Sequence, residues 1–214
     1  GSHPGGHPGG GRQGQWQPDG FEFSGDSSDL FSEMFGRASH RRGYRPPPRK
    51  GADISYRLAV SLVNAALANS VRLTLASGKT IDLRIPKGVE EGARVRLAGH
   101  GQPGPGGPGD GIVEIHIEHD PRFSRDGDDL RTDIAVPLET AVLGGRQRVP
   151  TPEGDVLLNI AANTSSGKVL RLKGKGWTKR DGSRGDLMAR VLVDIPDDDP
   201  ALADFLRARA AQAV

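Results

Sequence analysis

The chain has 214 residues, a formal net charge of +2 and no cysteine. That length holds two small domains with tails, and the absence of thiols excludes a disulfide framework or a thiolate-held metal and suits a reducing cytosol. No apolar run approaches the roughly 18 residues of a membrane-spanning helix, and no signal-peptide core is present. The expectation is a cytoplasmic protein without a membrane partner, and the near-balanced charge gives only a weak field for nucleic acid.

Residues 1–51 read as a flexible, low-complexity segment in which His3-Pro4-Gly5-Gly6 recurs as His7-Pro8-Gly9-Gly10. Such composition cannot bury enough apolar surface to offset its ordering entropy. One island, near 27–36, carries a helix signature. Ser27 or Ser28 can cap it, Gly36 can end it, and Leu30, Phe31, Met34 and Phe35 share one face. At about two turns this helix needs a partner to persist. The basic, proline-bearing stretch Arg37–Lys50 reads either as a stiff solvated linker or as a contact for nucleic acid or an acidic partner.

From Ile54 the apolar period becomes two: Tyr56, Leu58, Val60 and Leu62 fall on one face. A short helical piece spans 62–69. The runs 71–75 and 81–85, joined by Ser77-Gly78, read as a hairpin. A cassette follows, Ile85-Pro-Lys-Gly88 through Arg94-Val-Arg-Leu97 to Gly99-His-Gly101, then a loop of Gly and Pro to Gly109-Asp110 and a strand over 112–117. The cassette recurs as Ile160-Ala-Ala-Asn163 through Val169-Leu-Arg-Leu172 to Gly174-Lys-Gly176, ending in Gly185-Asp186. Leu130 to Leu138 matches the first strand and Leu138 to Gly145 the short helix. The second copy lies 76 residues on before the cassette and 75 within it. Gly88 faces Asn163 and Asn69 faces Gly145, exchanges between the residue types that best tolerate positive φ. A repeat of this length means two homologous units in tandem. Strands over 156–160, 169–173 and 187–195 complete the second. The expected fold is mostly β: two tandem small β-sandwich domains, mainly antiparallel, with one short helix each.

After Asp197-Asp198-Asp199, Pro200 suits the first position of a terminal helix, and Leu202, Phe205, Leu206 and Ala210 make its apolar face. That face packs either on its own second domain or on another subunit.

No catalytic chemistry is apparent, and the expectation is a protein that is not an enzyme and needs no cofactor or metal. Gly104 to Gly109 lacks the Lys-Ser/Thr of a phosphate loop. Arg125-Asp-Gly-Asp-Asp-Leu130 lacks the spaced ligands of a calcium loop and reads as the turn between the domains. The six histidines have no metal-ligand spacing.

Four runs together resemble the C-terminal half of DnaJ-type (J-domain) co-chaperones of the zinc-finger-free, CbpA-like class. They are Ser77 to Val89, Phe123 to Leu130, Glu139 to Gly145 and Leu170 to Gly176. The resemblance covers roughly residues 20 to 214, and the count of zero cysteines agrees with that class. There is no His-Pro-Asp of a J domain in the sequence: each His-Pro is followed by Gly. The resemblance implies a Gly/Phe-type linker over 1–51, a client-binding domain I over 52–122, a domain II over 123–196 and a dimerisation helix over 197–214. It implies a client groove at Tyr56, Leu58, Leu73, Leu75 and Val113, compatible with strand addition at a sheet edge. Residues Leu30, Phe31, Met34 and Phe35 would dock on the protein's own J domain, absent here. Leu202, Phe205 and Leu206 would hold a homodimer. The implied partners are unfolded client polypeptides and a DnaK-type chaperone. Lys79 is the nearest candidate on domain I for the acidic tail of that chaperone. The alternative is a nucleoid-associated DNA binder using residues 37–50.

Overall fold

The computed structural model describes residues 45–213. The helix expected near 27–36 and most of the basic stretch 37–50 therefore lie outside the described residues. The body from Pro47 to Val214 is one compact unit.

The architecture is mostly β. The first repeat has strands β1 (Ile54–Ser61), β2 (Ser70–Thr74), β3 (Thr80–Arg84), β4 (Arg94–Leu97) and β5 (Gly111–Glu118), with helix α1 (Leu62–Leu67). The second has β6 (Ser124–Asp126), β7 (Asp129–Pro137), α2 (Leu138–Leu143), β8 (Gly145–Val149), β9 (Val156–Ile160), β10 (Val169–Leu172) and β11 (Leu187–Asp194). Helix α3 (Pro200–Gln212) closes the chain. β1, β5 and β4 form one sheet in that order, and β10, β11, β7 and β6 form another. The hairpins β2–β3 and β8–β9 stand as separate two-stranded sheets.

Alternation builds the core. Leu58 and Val60 on β1, Val113 and Ile115 on β5, and Leu73 and Leu83 on the hairpin are all buried. Their neighbours Arg57, Arg72, Thr74, Asp82 and Arg84 point to solvent. Each hairpin thus contributes one face to a core shared with its unit's larger sheet, as period-two patterning demands. The second unit repeats this with Leu130, Ile134, Val136, Leu187, Ala189 and Val191. Ser61 caps α1, its hydroxyl accepting from the Asn64 N–H at 3.2 Å.

Three expectations need correction. The antiparallel reading misses the central pairings: β1 lies parallel to β5, Ile54 opposite Gly111, and β7 parallel to β11, Leu130 opposite Leu187. The intervening hairpin and cassette supply the long crossover that a parallel pair requires. Asn69 and Gly145 do not carry the left-handed residue: it falls one position earlier, at Ala68 (φ 52°) and Gly144 (φ 79°). The Arg125–Leu130 turn is itself the tip of a hairpin, β6 paired with β7 through Gly127 at φ 62°. The paired expectation for Gly88 and Asn163 matches the structure, at φ 68° and 61°.

Helix α3 starts as expected. The Asp199 carboxylate accepts the Leu202 N–H at 2.9 Å, and Pro200 opens the first turn. No residue of α3 is buried, and Phe205 and Leu206 are 60% and 51% exposed. The apolar face at Phe205 and Leu206 is therefore left largely open to solvent among the described residues.

Candidate functional site

The five groove residues are brought together in the first unit. Tyr56 and Val113 are direct partners across β1 and β5, and Leu58 pairs with Ile115. Leu73 ends the inward row of β2, and Leu75 follows in the β2–β3 turn. Four of the five are sealed in the core: Val113 is 0% exposed, Leu75 4%, Leu73 6% and Leu58 7%. Only Tyr56 is half-open. Its hydroxyl accepts the Ala76 N–H at 3.2 Å and donates to the His100 carbonyl at 3.4 Å, tying the hairpin turn to the cassette turn. The apolar side chains of this unit that reach both the core and solvent include Tyr56, Val71, Ile81, Val95 and Leu97. Alternation shows which side of a strand faces inward, but not how completely the opposing layer covers it, so the sequence could not separate lining from core.

Beside this row lies an open edge. β2 pairs with β3 alone, Val71 opposite Leu83 and Leu73 opposite Ile81, and its other side has no strand partner among the described residues. The outer hairpin face is polar, with Arg72 and Asp82 3.7 Å apart and largely solvated.

Sequence reasoning missed a pair of duplicated clasps. In the first, the Asp110 carboxylate accepts the Gly99 N–H at 2.8 Å and is gripped by the Arg96 guanidinium. The Asp110 N–H donates to Asp53 at 2.7 Å. In the second, Asp186 accepts the Gly174 N–H at 2.8 Å and pairs with Arg171, while its own N–H donates to Asp129 at 2.7 Å. The Gly99 and Gly174 amides, then the two arginines, hold these carboxyls below the usual carboxylate range. Arg, Gly-x-Gly, Gly-Asp and the upstream Asp recur at the repeat offset. Those identities between copies were the signal available, and they mark scaffold.

The second missed feature is the joint between the repeats. The loop after Gly176 reaches back to the first unit. Thr178 donates to the Ala66 carbonyl from its N–H at 2.9 Å and from its hydroxyl at 2.7 Å. The Gly88 N–H donates to the Thr178 carbonyl at 2.9 Å. Arg125 lies 4.1 Å over the Trp177 ring, donates to the Val89 carbonyl at 3.1 Å and pairs with Glu90 at 2.8 Å. Nothing local in the sequence links residues 66 and 178.

Of the histidines, His116 bonds Glu91 at 2.8 Å through Nδ1 on the surface of β5. His119 lines a cleft of about 670 Å³ on the second unit, with Phe123, Val169, Met188 and Arg190. No group of three His, Cys, Asp or Glu side chains able to hold a metal exists among the described residues. No helix among them is long and apolar enough to cross a membrane. Leu30, Phe31, Met34 and Phe35 lie outside the described residues.

Two β units built to one plan, each closed by an Arg–Asp–Gly clasp, with an exposed helix after the second, define a tandem-repeat β protein. The DnaJ C terminal domain family matches residues 54–196, and the chain belongs to that family. It is 41% identical over 187 residues to the chaperone protein DnaJ of Deinococcus proteolyticus, covering 87% of this chain and 57% of that protein. It is 50% identical over 121 residues to chaperone protein DnaJ 2 of Aromatoleum aromaticum, covering 55% of this chain and 32% of that protein. With chaperone protein DnaJ 1 of Streptomyces coelicolor the identity is 46% over 125 residues, covering 57% and 31%. The chain thus spans about half the length, or less, of the curated relatives it matches.

Proposed function

We propose that this chain is the client-binding part of a J-domain co-chaperone acting in the cytosol. It holds extended apolar segments of unfolded polypeptides for a DnaK-type chaperone. The observation that supports this reading is the free edge of β2 next to the half-exposed row of Tyr56, Val71 and Ile81. An added strand would gain main-chain hydrogen bonds from β2, and its alternate side chains would meet that row, which gives affinity with loose selectivity. Domain I over 52–122 would carry this site. Domain II over 123–196 would carry α3, whose exposed Phe205 and Leu206 suit a contact with a second copy. Two weak sites in one dimer would gain avidity through effective concentration. The lack of cysteine supports the zinc-finger-free class.

The test is suppression of aggregation of an unfolded client. Asp substitutions at Leu73 or Leu75 would place a charge in the core and unfold the site, so Val71→Asp and Ile81→Asp, both half-buried, are the informative changes. Each should reduce suppression several-fold with the fold intact. Full suppression by a folded Val71→Asp variant removes the β2 assignment. A salt-dependent gel shift carried by residues 37–50, without suppression, would instead point to nucleic acid.

A further inference from the structure

We propose that the Gly/Pro loop 101–110 is an anchor that fastens the chain preceding the first repeat, so that the N-terminal arm leaves from a fixed point. The sequence presents this loop as a spacer with nothing to pack. In the structure it closes on residues 48–52 by main-chain bonds alone. The Gly51 N–H donates to the Gly107 carbonyl at 2.9 Å, Gly106 to the Arg49 carbonyl at 2.9 Å, and Gln102 to the Ala52 carbonyl at 2.8 Å.

The glycines are required by that closure. A Cβ on Gly104 would overlap the Gly51 backbone, one on Gly106 the Pro48 carbonyl, and one on Gly109 the Ala52 carbonyl. All three obstacles are backbone atoms, which cannot swing aside as a side-chain tip can. A loop that merely joined β4 to β5 would have no need of such approach. Pro103, Pro105 and Pro108 restrict the unbound loop and lower the entropy lost on closure.

The second repeat shows what the device is for. Its equivalent loop holds the strand leading into its own unit, with the Trp177 N–H donating to the Asp128 carbonyl at 2.9 Å, and its tip also docks Thr178 on the preceding unit. In the first repeat the preceding element is the arm, and the loop binds its last residues. Anything tethered through the arm is therefore counted from Pro48 and not from Ile54, which removes roughly 20 Å of extended slack. Arg49 and Lys50, both exposed, become a fixed basic stub.

Trypsin reads the anchor directly, since the bonds after Arg49 and Lys50 lie inside it. Gly106→Ala in the full chain should raise cutting there at least tenfold, while Gly78→Ala, at a hairpin turn with open space around it, should leave it unchanged. Hydrogen exchange on the unmodified chain gives a second reading, in which the Gly51 and Gly106 amides should be protected at least a hundredfold over unstructured peptide. Exchange at peptide rates, or cutting of Gly106→Ala within twofold of the parent, overturns the proposal. If Gly106→Ala fails to fold, the exchange measurement alone decides.

Discussion

The joint between the repeats makes a prediction with a built-in control. Gly88 sits at φ 68°, and a Cβ added there would lie 2.6 Å from Arg180 Cγ and 2.9 Å from the Arg180 backbone nitrogen. Arg180 cannot retreat easily, because Thr178 is bonded on both sides, to Ala66 and to Gly88. Gly88→Ala therefore incurs two costs. The left-handed conformation costs a non-glycine residue roughly 1–2 kcal/mol, and forcing an extra carbon against packed backbone adds about 1–3 kcal/mol. The equivalent residue in the second unit, Asn163, has φ 61° and already carries a Cβ. Asn163→Ala loses only the better tolerance of asparagine for that conformation, about 1 kcal/mol. Urea denaturation followed by far-UV circular dichroism gives both free energies by linear extrapolation. The difference between the two variants is the overlap with Arg180 plus at most about 1 kcal/mol of extra conformational cost. If Gly88→Ala costs no more than Asn163→Ala, residues 178–180 do not pack on the first unit as described.

Thr178→Val removes the hydroxyl but keeps the N–H bond to Ala66, so the carbonyl is not orphaned; the loss should be about 0.5–1.5 kcal/mol in the same assay, with Thr178→Ser close to the parent. The depressed pKa values of Asp110 and Asp186 mean stability that is full above the ordinary carboxylate pKa and declines as pH falls through the lower folded values. Acid titration should therefore show a loss beginning below about pH 4, and Asp110→Asn or Asp186→Asn should flatten it; an unchanged acid limb contradicts the clasps. Phe205→Asp combined with Leu206→Asp should convert a dimer to a monomer in sedimentation velocity without altering the circular dichroism, and an unchanged sedimentation coefficient refutes α3 as the contact.

The duplication was legible because it leaves several residues at offsets of 75 or 76: Gly-x-Gly, Gly-Asp, and the Gly88–Asn163 exchange whose φ values agree. The strands with strong alternation, such as Tyr56 to Leu62, were equally plain. β8 was not seen, since Gly-Arg-Gln-Arg-Val carries one apolar residue, and only its pairing with Val156–Ile160 makes it a strand. The parallel pairing was illegible for another reason: a strand buried on one face has the same period whether its neighbour runs with or against it. The joint and the anchor were hidden more deeply. The anchor is made of main-chain contacts and the joint meets main-chain carbonyls of Ala66 and Val89, and a carbonyl has no identity in the sequence.

The two copies show how one plan serves different ends. In the first unit Thr178 is inserted between the Ala66 carbonyl and the Gly88 N–H. In the second, the equivalent groups bond directly, the Asn163 N–H donating to the Val142 carbonyl at 3.1 Å. The position is thus filled by the other repeat in one copy and self-closed in the second. The loop tips diverge in step. Gln102 is exposed where its counterpart Trp177 is completely buried, so one loop is held by main-chain bonds while the other is also fixed by an aromatic ring under Arg125. The apolar surface moves as well: Leu157, 64% exposed on the outer face of β9, stands where the first hairpin has Asp82. The hairpin face that is polar in the first unit is therefore partly apolar in the second. The two folds are equal while their surfaces are not, and a substitution transplanted between equivalent exposed positions, such as Asp82→Leu or Leu157→Asp, changes one surface without touching the scaffold they share.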